Sequence, residues 1–471
     1  MIKNLKFEDI QYNPIIRINQ KTTIENKELY GEVFTPFSLI KEMLNLIPEK
    51  VYETPDLTWL DPGAGSGNFS IFLYFKLLEA LIIKIPNLEE RKTHIIENMI
   101  YMVELRPENI AILKNLFGEK ANIYEGDYIS YNHNPYTNDP TSPVFDVIIG
   151  NPPFNCNGQK KVPTNTINAK KQDGSTIWSA FIIKSVSLLK QNTGILCVFI
   201  PSIWLKPDKA RMYNFLIQYD IKWLNCMSNT ETNKIFKGNA QTPSCFFLLT
   251  KTLSNNKISI RDTDRDEYID YHLKPNIPIP VFGVSVINKL QKYCENNTIP
   301  VIKTNMPPNS TVLSIIKTEE CQYANITTCI LENSKESNSK EPQLIINYSN
   351  KPLVYYNQTK LVLAHKMYGY PYLDISGEYG ISNRDNYVII REKMEDLIKL
   401  HTFLSTKTAR YIFKATRYRM AYLEKYAFEL IPDITFLPDF PEEINDDTIA
   451  DYFGFDEKDR ENIIGKDITK N

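Results

Sequence analysis

The sequence predicts an α/β fold on a mainly parallel, Rossmann-like sheet, followed by an α+β unit. Three observations carry this. Between about 36 and 250, short apolar runs alternate with helix-like segments. The strand candidates are almost continuously apolar, as in a parallel sheet covered on both faces. The first of them runs into a glycine-rich loop that opens a helix, the junction found in doubly wound nucleotide-type folds.

The elements follow in order. Residues 1–29 are polar and read as an N-terminal arm. The first domain spans 30–254. "LTWLD" is its first strand, "FSIFLYFKLLEALIIK" the helix after the loop, "MIYMVEL" the second strand and "ENIAILKNLF" the next helix. The strands "ANIYEGD" and "FDVIIG", the helix "IWSAFIIKSVSLLK" and the strands "GILCVFIPS" and "SCFFLLTK" complete it. Beyond about 255 the rhythm changes, so 255–440 is read as a second domain. "ENSKESNSKEPQ" reads as an exposed loop, 344–391 as short strands and 392–430 as helical. A stretch rich in proline and acids follows residue 430, and 441–471 reads as the C-terminal tail.

Composition sets outer limits. The formal net charge is -2 and the pI about 6.3, so affinity for nucleic acid has to come from local clusters. The seven cysteines form no CxxC pair, which indicates neither a disulfide framework nor a zinc site. No metal is expected. The N-terminus lacks the apolar core of a signal peptide, and no apolar run is long enough to span a bilayer. A cytoplasmic protein without membrane contact is the expectation.

In "LDPGAGSGNFS", Gly63, Gly65 and Gly67 let the backbone turn sharply and approach a ligand closely. Asp61 repels a pyrophosphate but can hold a cationic group. That favours S-adenosylmethionine over NAD, because its amino group is positive and it has no phosphate. Glu104, at the end of the second strand, stands where an acid accepts from ribose hydroxyls. It lies about forty residues past the loop instead of roughly twenty, and "IPNLEERKTHIIENM" can be an inserted helix. Asp127 could accept from an adenine amine, and Tyr128 could pack on its ring.

"DVIIG" runs into Asn151-Pro152-Pro153-Phe154. Two prolines cannot continue a sheet ladder, but they fix the backbone. Asn151 and the Pro152 carbonyl are thereby aimed as two acceptors, which suits a planar amino group with two hydrogens. Accepting both localises the nitrogen lone pair and stabilises the positive charge that develops as a methyl group arrives. Phe154 supplies a flat surface for a base.

With these motifs in view, the sequence resembles an N6-adenine-specific DNA methyltransferase of the gamma arrangement, type II restriction-modification-like. In that arrangement the cofactor motifs precede NPPF and a target-recognition domain comes last. The resemblance covers about residues 30–250. It implies that Thr35 of "GEVFTP" contacts the methionine carboxylate of S-adenosylmethionine. It places Asp61, Gly63, Gly65, Glu104, Asp127 and Tyr128 around the cofactor and Asn151, Pro152, Pro153 and Phe154 at the reaction. Phe236 of "KIFKGNAQTP" falls where a second aromatic stacks on the target base. Double-stranded DNA is the implied partner, with the adenine turned out of the stack. A separate cognate restriction endonuclease is a possible further partner, and a monomer or weak dimer is expected.

For DNA contacts, the loop after NPPF carries Lys160, Lys161, Lys170 and Lys171. Lys407, Arg410, Lys414 and Arg417 recur at helical spacing on one face, with Ala409, Ile412, Phe413, Met420 and Leu423 roughly opposite. Such a stripe can neutralise phosphates or be a solvated face. The segment 365–386, rich in Tyr and Gly, is the candidate for base-reading loops. Related chemistry on RNA guanine or protein glutamine remains open, as does a non-catalytic DNA-specificity subunit of the same fold.

Overall fold

A computed structural model of the chain describes residues 2–5, 30, 33–130, 144–156, 175–207, 211–240, 242–330, 342–365, 370–419 and 423–465. Two compact units result. One comprises Met1–Trp204 and Asp208–Ile260, the other Leu205–Pro207 and Arg261–Asn471.

The first unit is built on β1 (Trp59–Asp61), β2 (Ile100–Glu104), β3 (Asn122–Glu125) and β4 (Val147–Gly150). A short pair, β5 (Asn155–Cys156) and β6 (Ser175–Thr176), follows NPPF. Then come β7 (Ile195–Pro201), β8 (Tyr219–Met227), β9 (Ser244–Leu253) and β10 (Lys257–Asp262). Eight strands of the nine-stranded large sheet are these, in the order β10-β8-β9-β7-β4-β1-β2-β3. β3, β2, β1, β4 and β7 are mutually parallel, and β9 is antiparallel to both β7 and β8. The mainly parallel α/β sheet read from the apolar runs is therefore present.

Every residue of β1, β2 and β4 is buried, which is why those runs are apolar without alternation. The helix Asn68–Ala80 after the glycine loop is likewise buried from Asn68 to Phe75. β1 lies between β2 and β4, so the chain turns to opposite sides after it. That is the topological switch point, where ligands sit at the carboxyl ends of the strands in such sheets. Asp146 fixes the β1–β4 register: its Oδ2 accepts from Thr58 N at 2.9 Å, Thr58 Oγ1 at 3.0 Å and Lys190 Nζ at 2.8 Å. The long interval before β2 holds a helix, Leu88–His94, running into a π-helical turn, Ile95–Met99.

The second unit contains β11 (Glu267–His272) and two four-stranded sheets. One joins β12 (Ile302–Lys303), β16 (Lys360–Ala364), β17 (Tyr372–Asp374) and β19 (Asn386–Ile389). The other joins β13 (Leu313–Ser314), β14 (Tyr323–Ile330), β15 (Gln343–Ser349) and β18 (Gly380–Ile381). Helices Met394–Leu404 and Lys407–Ala415 follow. The expected tail differs from a loose extension. It carries helices Asp446–Phe453 and Glu457–Gly465, the first opened by a capping box in which the Asn445 side chain accepts from Thr448 N. A charge network of Arg265 and Lys289 with Asp456 and Asp459 holds it.

The segment 331–341 and the lysines at 160, 161, 170 and 171 lie outside the described residues, as do Met420 and most of the N-terminal arm. The cysteines are free thiols. Among the described residues no helix is long and apolar enough to cross a membrane.

Candidate active site

Four pieces of chain meet at the switch point. The glycine loop is tied to the second strand twice: Ala64 N donates to Val103 O at 3.0 Å, and Gly65 N donates to Glu104 Oε2 at 2.7 Å. The other Glu104 oxygen accepts from Arg106 N at 2.9 Å and from Asn109 Nδ2 at 3.4 Å. The loop turns through Gly65 at φ 54° and Gly67 at φ 93°, where a side chain is strained. At Gly67 a Cβ would also lie 2.9 Å from Leu113 Cδ2.

NPPF docks on this loop. A Cβ at Gly63 would stand 3.7 Å from Pro153 Cδ. A Cβ at Gly150 would stand 3.3 Å from both Asp61 Oδ1 and Pro62 Cδ, so glycine at this strand end lets β4 come that close to β1. From the segment before β1, Thr35 reaches the same place. Its Oγ1 accepts from Asn151 Nδ2 at 3.0 Å, and its carbonyl accepts from Asn68 Nδ2 at 3.0 Å.

The site is rich in buried oxygen atoms without partners. Asp61 Oδ1, Ser66 Oγ, Asn68 Oδ1 and Asn151 Oδ1 are buried and make no hydrogen bond. Buried polar atoms are otherwise almost always paired. A cluster of this kind fits a ligand bearing amino and hydroxyl donors. Burial pushes the Asp61 carboxyl up to about 7; the Ser70 hydroxyl and the Gly63 N–H oppose this, and the neighbouring Glu104 charge adds to it. A cationic ligand group would restore its charge.

The expected residues do not all meet there. Asp127 is exposed, and its oxygens accept from Ile129 N at 3.1 Å and Ser130 N at 3.2 Å, forming its own turn. Tyr128 is corrected: its ring is 2% exposed and packs 5.0 Å from the Phe181 ring, with its hydroxyl on Ser185 Oγ. Its ring is enclosed by that packing. Phe236 is corrected as well. It is 3% exposed and packs on Phe199 at 5.3 Å, while Phe154 stacks on Phe199 at 6.0 Å. Phe199 therefore separates the two rings expected to share a base. Only Phe154 is partly exposed.

The basic stripe is the largest correction. Lys407 is exposed and Arg417 half-buried, but Arg410 is 3% and Lys414 8% exposed. The Arg410 guanidinium lies 4.5 Å from the centre of the Tyr370 ring. The helix Lys407–Ala415 is buried on nearly every side, so its cations do not form a solvent-facing row. Within 365–386, Asp374 binds the fully buried Lys360, which makes part of that segment interior sheet.

Sequence reading missed Asn68, Ser70 and Phe199. The signal for Asn68 and Ser70 was their place in the first turn of the helix opened by the glycine loop. Phe199 carried no local signal beyond an apolar strand.

Comparison with known proteins agrees with the motif resemblance. Residues 67–236 match the family described as Eco57I restriction-modification methylase. An uncharacterized adenine-specific methylase of Mycoplasma pneumoniae is 24% identical, over 48% of this chain and 70% of its own. Among solved structures, a modification subunit of a putative type I restriction enzyme from Vibrio vulnificus is 16% identical, with a TM-score of 0.37 over 53% of this chain and 50% of its own. The Type IIL restriction-modification enzyme MmeI, solved with DNA, is 12% identical, with a TM-score of 0.47 over 85% of this chain and 69% of its own. The chain thus spans about half the length of the type I subunit.

Proposed function

We propose that this chain, whose residues 67–236 match the Eco57I restriction-modification methylase family, methylates N6 of adenine in double-stranded DNA with S-adenosylmethionine. The observation that carries this reading is the state of Asn151. Its Nδ2 is committed to Thr35, and its Oδ1 is buried without a partner at the end of β4. An acceptor held in this way, ahead of two prolines, suits a planar amino group.

When bound, the cofactor supplies an electrophilic methyl group. Asp61 would hold its amino group, while the glycine loop and Glu104 would shape its seat. Asn151 Oδ1 and the Pro152 carbonyl would accept the two hydrogens of the adenine amine and stabilise the charge that develops on it. Phe154 would support the face of the base, which has to leave the duplex to reach this depth. The released proton passes to water. The second unit would choose the DNA sequence, because base-edge contacts need a surface beyond the reaction site.

The test is incubation with labelled S-adenosylmethionine and, separately, unmethylated phage DNA, RNA and protein, followed by nucleoside and amino-acid analysis. N6-methyladenine in DNA is expected. Label in RNA guanine or glutamine instead would replace this reading, and no transfer at all would leave only a binding subunit. Asn151→Ala should lower the rate about a hundredfold or more while the cofactor still binds.

A further inference from the structure

We infer that Asn68 is a second acceptor, beside Asp61, for the ammonium of the cofactor's amino-acid end, and so determines which charged group of that end faces the glycine-loop helix. The inference rests on the methyltransferase reading above and concerns a residue to which that reading gives no part.

The orientation of the Asn68 amide is forced. Its Nδ2 donates to the Thr35 main-chain carbonyl at 3.0 Å, and a carbonyl can only accept. The NH2 end therefore has to be the end on Thr35, and Oδ1 is turned away from it. Asn68 is 6% exposed, and its Oδ1 is buried without a partner. Asp61 is alike: its Oδ2 accepts from Ser70 Oγ at 3.2 Å, and its Oδ1 is buried without a partner. Ser70 and Asn68 belong to the first turn of the helix Asn68–Ala80. One turn of chain thus carries the Asn68 acceptor and touches the Asp61 carboxyl. A buried acceptor left without a donor is costly, so both oxygens demand one.

Two groups of the amino-acid end compete for this place. A helix N-terminus by itself favours the carboxylate, by about twofold to fivefold in affinity. A hydrogen bond to a charged group is stronger, about tenfold or more. An ammonium has three hydrogens, enough for both oxygens. A carboxylate has none and would be repelled by them. The acceptors outweigh the helix, and the ammonium takes this side.

The full chain and its Asn68→Ala variant are titrated calorimetrically with three ligands: S-adenosylhomocysteine, its analogue lacking the amino group and its analogue lacking the carboxylate. Asn68→Ala should weaken binding of the first and third by about tenfold or more. Affinity for the deaminated analogue should stay within about threefold, because that ligand has no ammonium to lose. Equal losses for all three ligands would show that Asn68 only ties the loop to Thr35, and would overturn the inference. Unchanged affinities overturn it too, as does a loss confined to the two ligands that keep the carboxylate. If Asn68→Ala does not fold, Asn68→Ser, whose side chain is too short for the same place, is read in the same way. Asp61→Asn is titrated beside them. If it shows the loss that depends on the amino group and the Asn68 variant does not, the cofactor reading stands and this inference alone falls. If the wild-type chain binds none of the three, the methyltransferase reading falls first and this inference with it.

Discussion

The carboxylate of Glu104 closes the glycine loop by accepting the Gly65 N–H at 2.7 Å, 39 residues back along the chain. An acid expected to wait for a ribose is thus already part of the loop's own structure. Glu104→Ala leaves Gly65 N–H and Asn109 without that acceptor and should weaken S-adenosylmethionine binding about tenfold or more. Glu104→Gln keeps one oxygen and should lose less. Titration calorimetry decides it, and unchanged affinity in the Ala variant would show that the loop holds its shape unaided.

Cofactor binding should depend on pH through Asp61. Its carboxyl is pushed up to about 7 from 3.8, mainly by burial. The folded chain therefore holds this proton more tightly than the unfolded chain. Its contribution to stability is complete below about 3.8 and is lost as pH rises towards 7. A cationic ligand favours the charged form, so affinity should rise from about pH 5.5 to 7.5 with release of a proton on binding. Calorimetry in two buffers of different ionisation enthalpy reads that proton. A flat profile, or the same slope in Asp61→Asn, counts against the assignment.

Phe236 should behave as a core residue. Phe236→Leu is expected to cost on the order of 1 kcal/mol and to leave transfer near wild type. Phe199→Ala removes the ring between Phe154 and Phe236 and should cost roughly 3–5 kcal/mol. Thermal unfolding and single-turnover rates separate these outcomes. A crippled rate in a fully stable Phe236→Leu chain would return this ring to the target base.

Arg410 and Lys407 should divide in the same way. Arg410→Ala loses a buried cation on the Tyr370 ring and should destabilise the second unit by roughly 1–2 kcal/mol. Lys407→Ala, at an exposed position, should stay within about 0.5 kcal/mol of wild type. The unfolding midpoint in urea measures both. The salt dependence of DNA binding should not change in Arg410→Ala. A flatter salt slope with unaltered stability would instead place Arg410 on phosphate.

The parallel sheet was legible because its buried strands are apolar without alternation up to the acid or glycine at their ends, and the glycine loop because its turn needs glycine at Gly65 and Gly67. The prolines singled out Asn151, which follows β4 and has Thr35 beside it. What misled was charge read as exposure. Lys407, Arg410, Lys414 and Arg417 share a helical face by spacing alone, yet Tyr370, forty residues upstream of Arg410, decides what that face touches. Aromatic residues misled similarly, since nothing local distinguishes a ring that meets a ligand from Phe236 or Tyr128 in a core. Two helix starts went unread despite local signals: the capping boxes Ser228 to Glu231 and Asn445 to Thr448.

The β1–β4 pairing also shapes how the chain folds. Thr58 and Asp146, which join those strands, stand 88 residues apart. Closing so large a loop is entropically unfavourable, and parallel pairings of this separation form late and slowly. Until β4 docks, Asn151 has no Thr35 beside it and the edge of β1 that faces β4 is unpaired. At the cofactor seat proposed above, affinity should therefore appear late in folding, and a ligand present during refolding should act on the last step and leave the earlier ones alone.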